Sequence, residues 1–135
     1  MQRHGWNLLF HDCLIEQLRN LEAAVQRAKK QDTQGFAANA NVKLFNALAQ
    51  LMLETVPSGP DREEYRQGNT MGAAFRHWRR AKIGRRFRLF FRFDARSRVI
   101  IFAWVNDGVF HKILERGHPA DDWAALRAAC TAHWQ

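Results

Sequence analysis

The densest run of chemistry-bearing side chains lies between Arg76 and Arg98. Ten basic residues (Arg76, Arg79, Arg80, Lys82, Arg85, Arg86, Arg88, Arg92, Arg96 and Arg98) accompany one acid there, Asp94. A guanidinium group stays protonated and offers forked donors that fit phosphate oxygens, so such a run points to a polyanionic partner. Trp78 and Phe90 lie among these cations, and an aromatic ring gives an unpaired base a surface to stack on. Cations interleaved with aromatics suit single-stranded RNA. If that RNA is cut, the ribose 2′-hydroxyl attacks the neighbouring phosphorus in line. Arginines then stabilise the charge building on the phosphoryl oxygens, and a donor protonates the departing 5′-oxygen. The general base stays open. Arginine is too basic for that role, Lys82 needs crowding by cations and burial to serve, and His77 points away from Arg80 and Lys82 by strand alternation.

The elements that must position these groups follow from periodicity. Three strand-like runs, 77–83, 86–93 and 99–106, are joined by Gly84-Arg85 and by 94–98, and read as an antiparallel meander. Alternation on the middle run turns Phe87, Leu89, Phe91 and Phe93 to one face and Arg86, Arg88, Phe90 and Arg92 to the other. The preceding run puts Trp78, Arg80 and Lys82 on one face, and a shared face would make a concave basic platform. Upstream, Gly5 to His11 reads as an opening strand with Asp12 as helix cap. Leu14, Leu18, Leu21, Val25 and Ala28 then form the apolar stripe of a helix ending near Lys29-Lys30, where cations suit the C-terminal end of the macrodipole. Val42, Phe45, Ala49 and Met52 mark a second helix that pairs with the first as a hairpin. Pro57-Ser58-Gly59-Pro60 stops it and opens a polar stretch to Phe75, a candidate binding loop. The tail reads as a short helix at 109–116, a turn at Gly117-His118-Pro119, and an Asp121-capped helix carrying Trp123, Leu126, Cys130 and Trp134. The expectation is one α+β domain over residues 1–135, with its helices on one side of a small antiparallel sheet.

Composition narrows the function. The chain has 135 residues, 47% hydrophobic and 25% charged, with 10 Phe and 5 Trp, enough for a core that needs neither metal nor disulfide. Net charge is +8, and residues 61–98 hold 12 basic and 4 acidic side chains. Membrane-surface binders usually carry basic residues on an amphipathic helix, whereas here they lie in strands. The longest apolar run, Val99 to Val105, is far short of the roughly 20 residues that cross a bilayer, so a cytoplasmic protein without membrane association is expected. Cys13 and Cys130 form no CxxC pair and read as small core residues in a reducing compartment. His111 and Glu115, with His118 nearby, match no recognised metal spacing, and no Walker, GxGxxG or GxSxG motif occurs. No cofactor is expected.

A set of segments then resembles a known family. Gly5-Trp6, Asn39-Ala40-Asn41-Val42-Lys43-Leu44 and Tyr65-Arg66-Gln67-Gly68-Asn69-Thr70 are similar to the YhaV family of bacterial toxins, in the RelE superfamily. So are Trp78-Arg79-Arg80-Ala81-Lys82, the run Arg86 to Phe93, Trp104-Val105-Asn106-Asp107, and Arg116-Gly117-His118-Pro119 followed by Asp122-Trp123. These segments fall in the family's order and span nearly the whole chain.

The resemblance implies a RelE-like α+β fold and a ribosome-dependent mRNA endoribonuclease of a type II toxin–antitoxin system that arrests growth. It implies a cognate AbrB-like antitoxin of the PrlF type, in a hetero-oligomer that binds its own operator through the antitoxin. Arg80, Lys82, Arg86 and Arg88 are the expected catalytic residues, with Arg80 foremost; Trp78, Arg79, Arg85, Phe90 and Arg92 are the expected RNA contacts. One departure stands out. After Asn106-Asp107 the family continues through a longer polar stretch with a Thr-Leu-Arg element, whereas here Asp107 passes through Gly108 directly to Val109-Phe110. A catalytically inactive RNA-binding or antitoxin-binding variant is the alternative this shortening suggests, and a gyrase-directed toxin on the same fold is a third reading.

Overall fold

The computed structural model describes residues 1–66, 77–106 and 122–134. A two-residue strand β1 (Gln2–Arg3) turns through His4 and Gly5, both at positive φ, into β2 (Trp6–His11). Helix α1 (Asp12–Gln31) follows at once. Its N-cap is His11 rather than the expected Asp12: His11 has extended backbone, and its ring Nδ1 accepts from the Cys13 N–H at 3.1 Å. Asp12 becomes the first helical residue, where its charge favours the positive end of the macrodipole.

The Asp32 carboxylate closes the following turn by accepting from Gly35 N–H at 2.8 Å. Asn39 caps α2 (Ala40–Gln50) by accepting from Asn41 N–H. The helix widens into a π-helical turn over Leu51–Thr55 and ends before Pro57, as expected of a residue without an N–H. Within the polar stretch, Glu63–Tyr65 forms a 3-10 turn. Residues 67–76 lie outside the described residues, as do the expected helix at 109–116 and the turn at 117–119.

Strands β3 (Arg79–Ile83), β4 (Phe87–Asp94) and β5 (Val99–Val105) form the expected antiparallel meander. Helix α3 (Trp123–Ala128) and the short strand β6 (Cys130–Thr131) complete the described chain. The α3 cap is Asp122, which accepts from Ala124 and Ala125 N–H at 3.0 and 3.4 Å, one residue later than expected. Cys130 leaves the helix to pair with His11.

The sheet order is β1-β2-β5-β4-β3, with β6 also against β2. It is mixed rather than purely antiparallel, because β2 runs parallel to β5, with Asn7 opposite Val99 and Phe10 opposite Phe102. The intervening helices and hairpin provide the long crossover that a parallel pair requires. The α+β class holds, and the architecture is consistent with the expected RelE-like fold.

Burial separates two faces. Leu8, Phe10, Leu89, Phe91, Ile100 and Phe102 pack with Leu14, Leu18, Leu48 and Met52 of α1, α2 and the π turn. On the opposite face, Val99, Ile101, Ala103 and Trp104 pack with Trp78, Phe90 and Leu126 of α3. Helices therefore cover both faces, correcting the one-sided expectation. Every β5 residue is buried, as in a central strand sandwiched between layers.

Candidate nucleic-acid interface

The β3–β4 hairpin places most of the chemistry. Its ladder sets Lys82 opposite Arg88 and Arg80 opposite Phe90. Directly opposed residues of an antiparallel pair share a face with Cβ atoms roughly 5 Å apart, so Arg80, Lys82 and Arg88 form one cationic group. Lys82 is exposed, while Arg80 and Arg88 are half-buried. The Arg88 guanidinium is held by its own turn, with Nη1 donating to Phe87 O at 2.9 Å and to Arg85 O at 3.4 Å. Among the described residues, Arg80 and Lys82 make no hydrogen bond or ion pair, which leaves their donors free for an anion.

Gly84 turns the hairpin at φ 61°, a backbone region that costs other residues about 1 kcal/mol or more. The tight turn exposes Arg85 and Arg86 at its tip. Arg86 belongs to the turn and not to the strand. Its guanidinium lies 5.3 Å from the Phe87 ring centroid, on the side of the α1–α2 layer, so strand alternation does not join it to Arg88.

Three expected RNA contacts stand elsewhere. Trp78 is 1% and Phe90 5% exposed, so neither ring is open to a base. Phe90 stacks on Trp104 at 4.8 Å and 15°, and Trp78 meets Trp104 at 4.8 Å and 60°. Arg79 faces the other way: it opposes Phe91, and its guanidinium lies 5.6 Å from the Phe93 ring. Burial, followed by the nearby charge of Arg66, lowers its pKa from the usual arginine value.

Arg92 is inserted between rings, 5.7 Å from the Trp78 centroid and 5.6 Å from that of Trp123. The sequence reading missed Trp104 and Trp123 as partners of this array. A signal was present in the unbroken apolar run Val99 to Val105, since a strand apolar on both sides announces that both faces are covered.

Asp94, at the far end of β4, accepts from Ser97 N–H at 3.1 Å and Oγ at 2.6 Å. Those bonds hold its carboxyl below the usual carboxylate range. Glu64 lines a cavity of about 290 Å³ beside β3, together with Thr55, Tyr65, Ala81 and Lys82. Lys82 is exposed, so the burial on which its role as a base depended is absent. His77 is also exposed, just ahead of β3.

Among the described residues no three metal-ligating side chains cluster; His111, Glu115 and His118 lie outside them. Both cysteines are half-buried against the second-face core. The Cys130 thiol donates to Leu126 O at 3.1 Å, and burial, with Asp12 adding, pushes it up to about 12. A thiol held protonated suits packing rather than nucleophilic attack. No helix among the described residues is long and apolar enough to cross a membrane.

A small mixed α+β domain whose hairpin gathers Arg80, Lys82 and Arg88 on one face has the charge arrangement suited to a polyanionic partner. Comparison with known proteins makes this specific. Residues 8–131 match the model of a family described as a toxin with endonuclease activity, of a toxin–antitoxin system. The chain belongs to this YhaV toxin family. The ribonuclease toxin YhaV of Escherichia coli K12 and the toxin YhaV of Escherichia coli O6:H1 are each 33% identical to it over 139 residues, covering 91% of this chain and 90% of theirs. The aligned stretch is longer than the 135-residue chain, so these relatives carry residues with no counterpart here. No solved structure matches the chain.

Proposed function

We propose that the protein is the toxin of a type II toxin–antitoxin pair, a ribosome-dependent endoribonuclease that cuts translated mRNA in the cytoplasm and so arrests growth. The observation that carries this reading is the cross-strand group Arg80, Lys82 and Arg88, whose cations share one face of a hairpin in a chain of an endonuclease family. Arg80 and Arg88 neutralise the non-bridging oxygens of the scissile phosphate as charge builds there. The 2′-hydroxyl gives its proton to water as its oxygen bonds to phosphorus, the P–O5′ bond breaks, and the exposed Lys82 ammonium supplies the proton that the 5′-oxygen takes, regaining one from solvent afterwards. Products are a 2′,3′-cyclic phosphate and a 5′-hydroxyl. Arg85 and Arg86, at the hairpin tip, bind flanking phosphates.

The same cations invite inhibition by an acidic segment of a PrlF-type antitoxin, giving tight and salt-sensitive association. Inducing the chain in cells and mapping mRNA 5′ ends by primer extension tests the reading. New ends that vanish in Arg80→Ala support it; growth arrest with altered DNA supercoiling and no new ends overturns it. For RNA binding, the plot of log affinity against log salt should lose about 0.7 of slope for each phosphate contact removed. Lys82→Ala is expected to show that loss, and an unchanged slope would remove Lys82 from the interface.

A second reading, an inactive RNA-binding or antitoxin-binding variant, is favoured by the residues that the relatives carry and this chain lacks. It predicts RNA binding that weakens in Arg80→Ala with no cleavage in either form.

A further inference from the structure

The second face of the sheet carries a continuous row of rings into which the Arg92 guanidinium is set. Phe90 stacks on Trp104, Trp104 meets Trp78, Trp78 lies beside the Arg92 guanidinium, and Arg92 in turn lies against Trp123 of α3. Arg80 stands in the middle of this row. Trp78 precedes it by two residues on the same strand face, and Phe90 is its direct cross-strand partner. Side chains two apart along a strand, and those directly opposite, are the nearest neighbours on a sheet face. The stem of the half-buried Arg80 is therefore bounded by two aromatic groups that are themselves pinned, one by Trp104 and the other by Arg92.

Arg92 differs from Arg80 in what its charge does. A guanidinium within about 6 Å of two indole faces is held by both ring quadrupoles, and Arg92 satisfies that distance to Trp78 and to Trp123. Because Trp123 opens α3 immediately after the capping Asp122, the clamp ties the C-terminal helix to the strand that carries the cations.

We propose that Arg92 is a positioning residue for RNA cleavage: clamped between Trp78 and Trp123, it fixes the place of Arg80 through Trp78 and makes α3 part of the working site without touching RNA. The inference rests on the endoribonuclease reading above. A displacement of about 1 Å at a group that stabilises the transition state can cost on the order of 100-fold in rate, so a positioning residue lowers turnover while leaving binding intact.

The test compares the unsubstituted chain with Arg92→Met, Trp123→Leu and Arg88→Ala on a fluorescent single-stranded RNA for binding, and on ribosome-bound mRNA for cleavage. Rates are taken at saturating substrate and expressed per folded molecule from a melt of each protein. Arg92→Met keeps an apolar stem between the indoles and removes the charge. Trp123→Leu removes one wall of the clamp and leaves every sheet cation in place.

Both variants should lose at least about tenfold in turnover, with RNA affinity within about twofold and an unchanged salt slope. Arg88→Ala should lose about 0.7 of slope. A slope reduced in Arg92→Met would make Arg92 a phosphate contact and overturn the proposal. Turnover per folded molecule equal to that of the unsubstituted chain in both variants would make the clamp merely structural, and also overturn it. If the unsubstituted chain itself leaves RNA intact, the endoribonuclease reading fails and takes the inference with it. Loss confined to the variants therefore separates the two. Should Arg92→Met fail to fold, Trp123→Leu carries the same comparison.

Discussion

Replacing Gln17 by Leu should destabilise the protein more than any other single polar-to-apolar change on α1. The Gln17 amide forms a two-point bridge to the backbone of Val105, 88 positions away: Nε2 donates to Val105 O at 2.9 Å, and Oε1 accepts from Val105 N–H at 2.9 Å. The side chain thereby mimics a neighbouring strand beside β5, beyond the point where β2 stops pairing at Phe102. Val105 is 5% exposed, so water cannot fully replace either bond. A buried backbone group left without its partner costs about 1–3 kcal/mol, and two are orphaned. Leucine offsets about 1 kcal/mol of this by burying more apolar surface.

The expected net loss is about 1–5 kcal/mol, from the two orphaned groups less the apolar gain. That corresponds to a fall in Tm of roughly 3–4 °C per kcal/mol for a domain of this size. Urea denaturation should show a lower midpoint at unchanged slope, the sign of altered stability rather than altered compactness. Native-state exchange should show the Val105 amide losing protection first. The consequence reaches the candidate site, because Val105 opposes Leu89 and the next amide, Asn106 N–H, donates to Arg88 O at 2.8 Å. A loss below about 0.5 kcal/mol, within the ordinary range for surface changes, would refute the reasoning and mean that water satisfies β5 there.

Two further outcomes follow from backbone and titration. Gly5 sits at φ 80° with Arg98 Nη2 3.2 Å from where a Cβ would stand, whereas Gly84 sits at φ 61° in open space. Gly5→Ala should therefore cost more than the roughly 1–2 kcal/mol of left-handed strain expected for Gly84→Ala, as thermal melts of the pair would show; equal losses would mean that Arg98 simply moves aside. Cys130 is raised from 9.0 to about 12 in the folded chain. The unfolded chain releases that proton first, so stability should fall as pH climbs from about 9 toward 12. Cys130→Ala should flatten that part of the stability profile, and an identical profile would contradict the assignment.

Much of this protein is readable from local pattern. Alternation over 86–93 identifies the two faces of β4, whereas the pairing of Lys82 with Arg88 depends on Arg86 joining Gly84 and Arg85 in the turn, which a turn of Gly84-Arg85 alone would have shifted by one residue. The stripe Leu14, Leu18, Leu21 defines the buried side of α1, and Pro57 ends the second helical segment. These features are set by neighbours within a few residues, where periodicity and backbone sterics act directly. The charge of each cation is likewise intrinsic, so a basic hairpin and family membership are visible in the order of residues.

What covers a face is a different kind of fact. Nothing local says that Trp78 and Phe90 are shut away beneath Trp104 and α3, that Arg92 is clamped by an indole 31 positions downstream, or that Arg79 turns from Arg80 toward Phe93. The parallel pairing of β2 with β5, and the Gln17 bridge to Val105, likewise join segments about ninety residues apart. Sequence alone determined which residues carry charge, which are apolar, and how they alternate along each element, because those properties belong to the residue and its nearest neighbours. Tertiary structure alone decided which of the cations and rings meet solvent, because burial depends on the packing of distant layers, and a ring on an outward-looking strand position is open only if no other layer is laid across it.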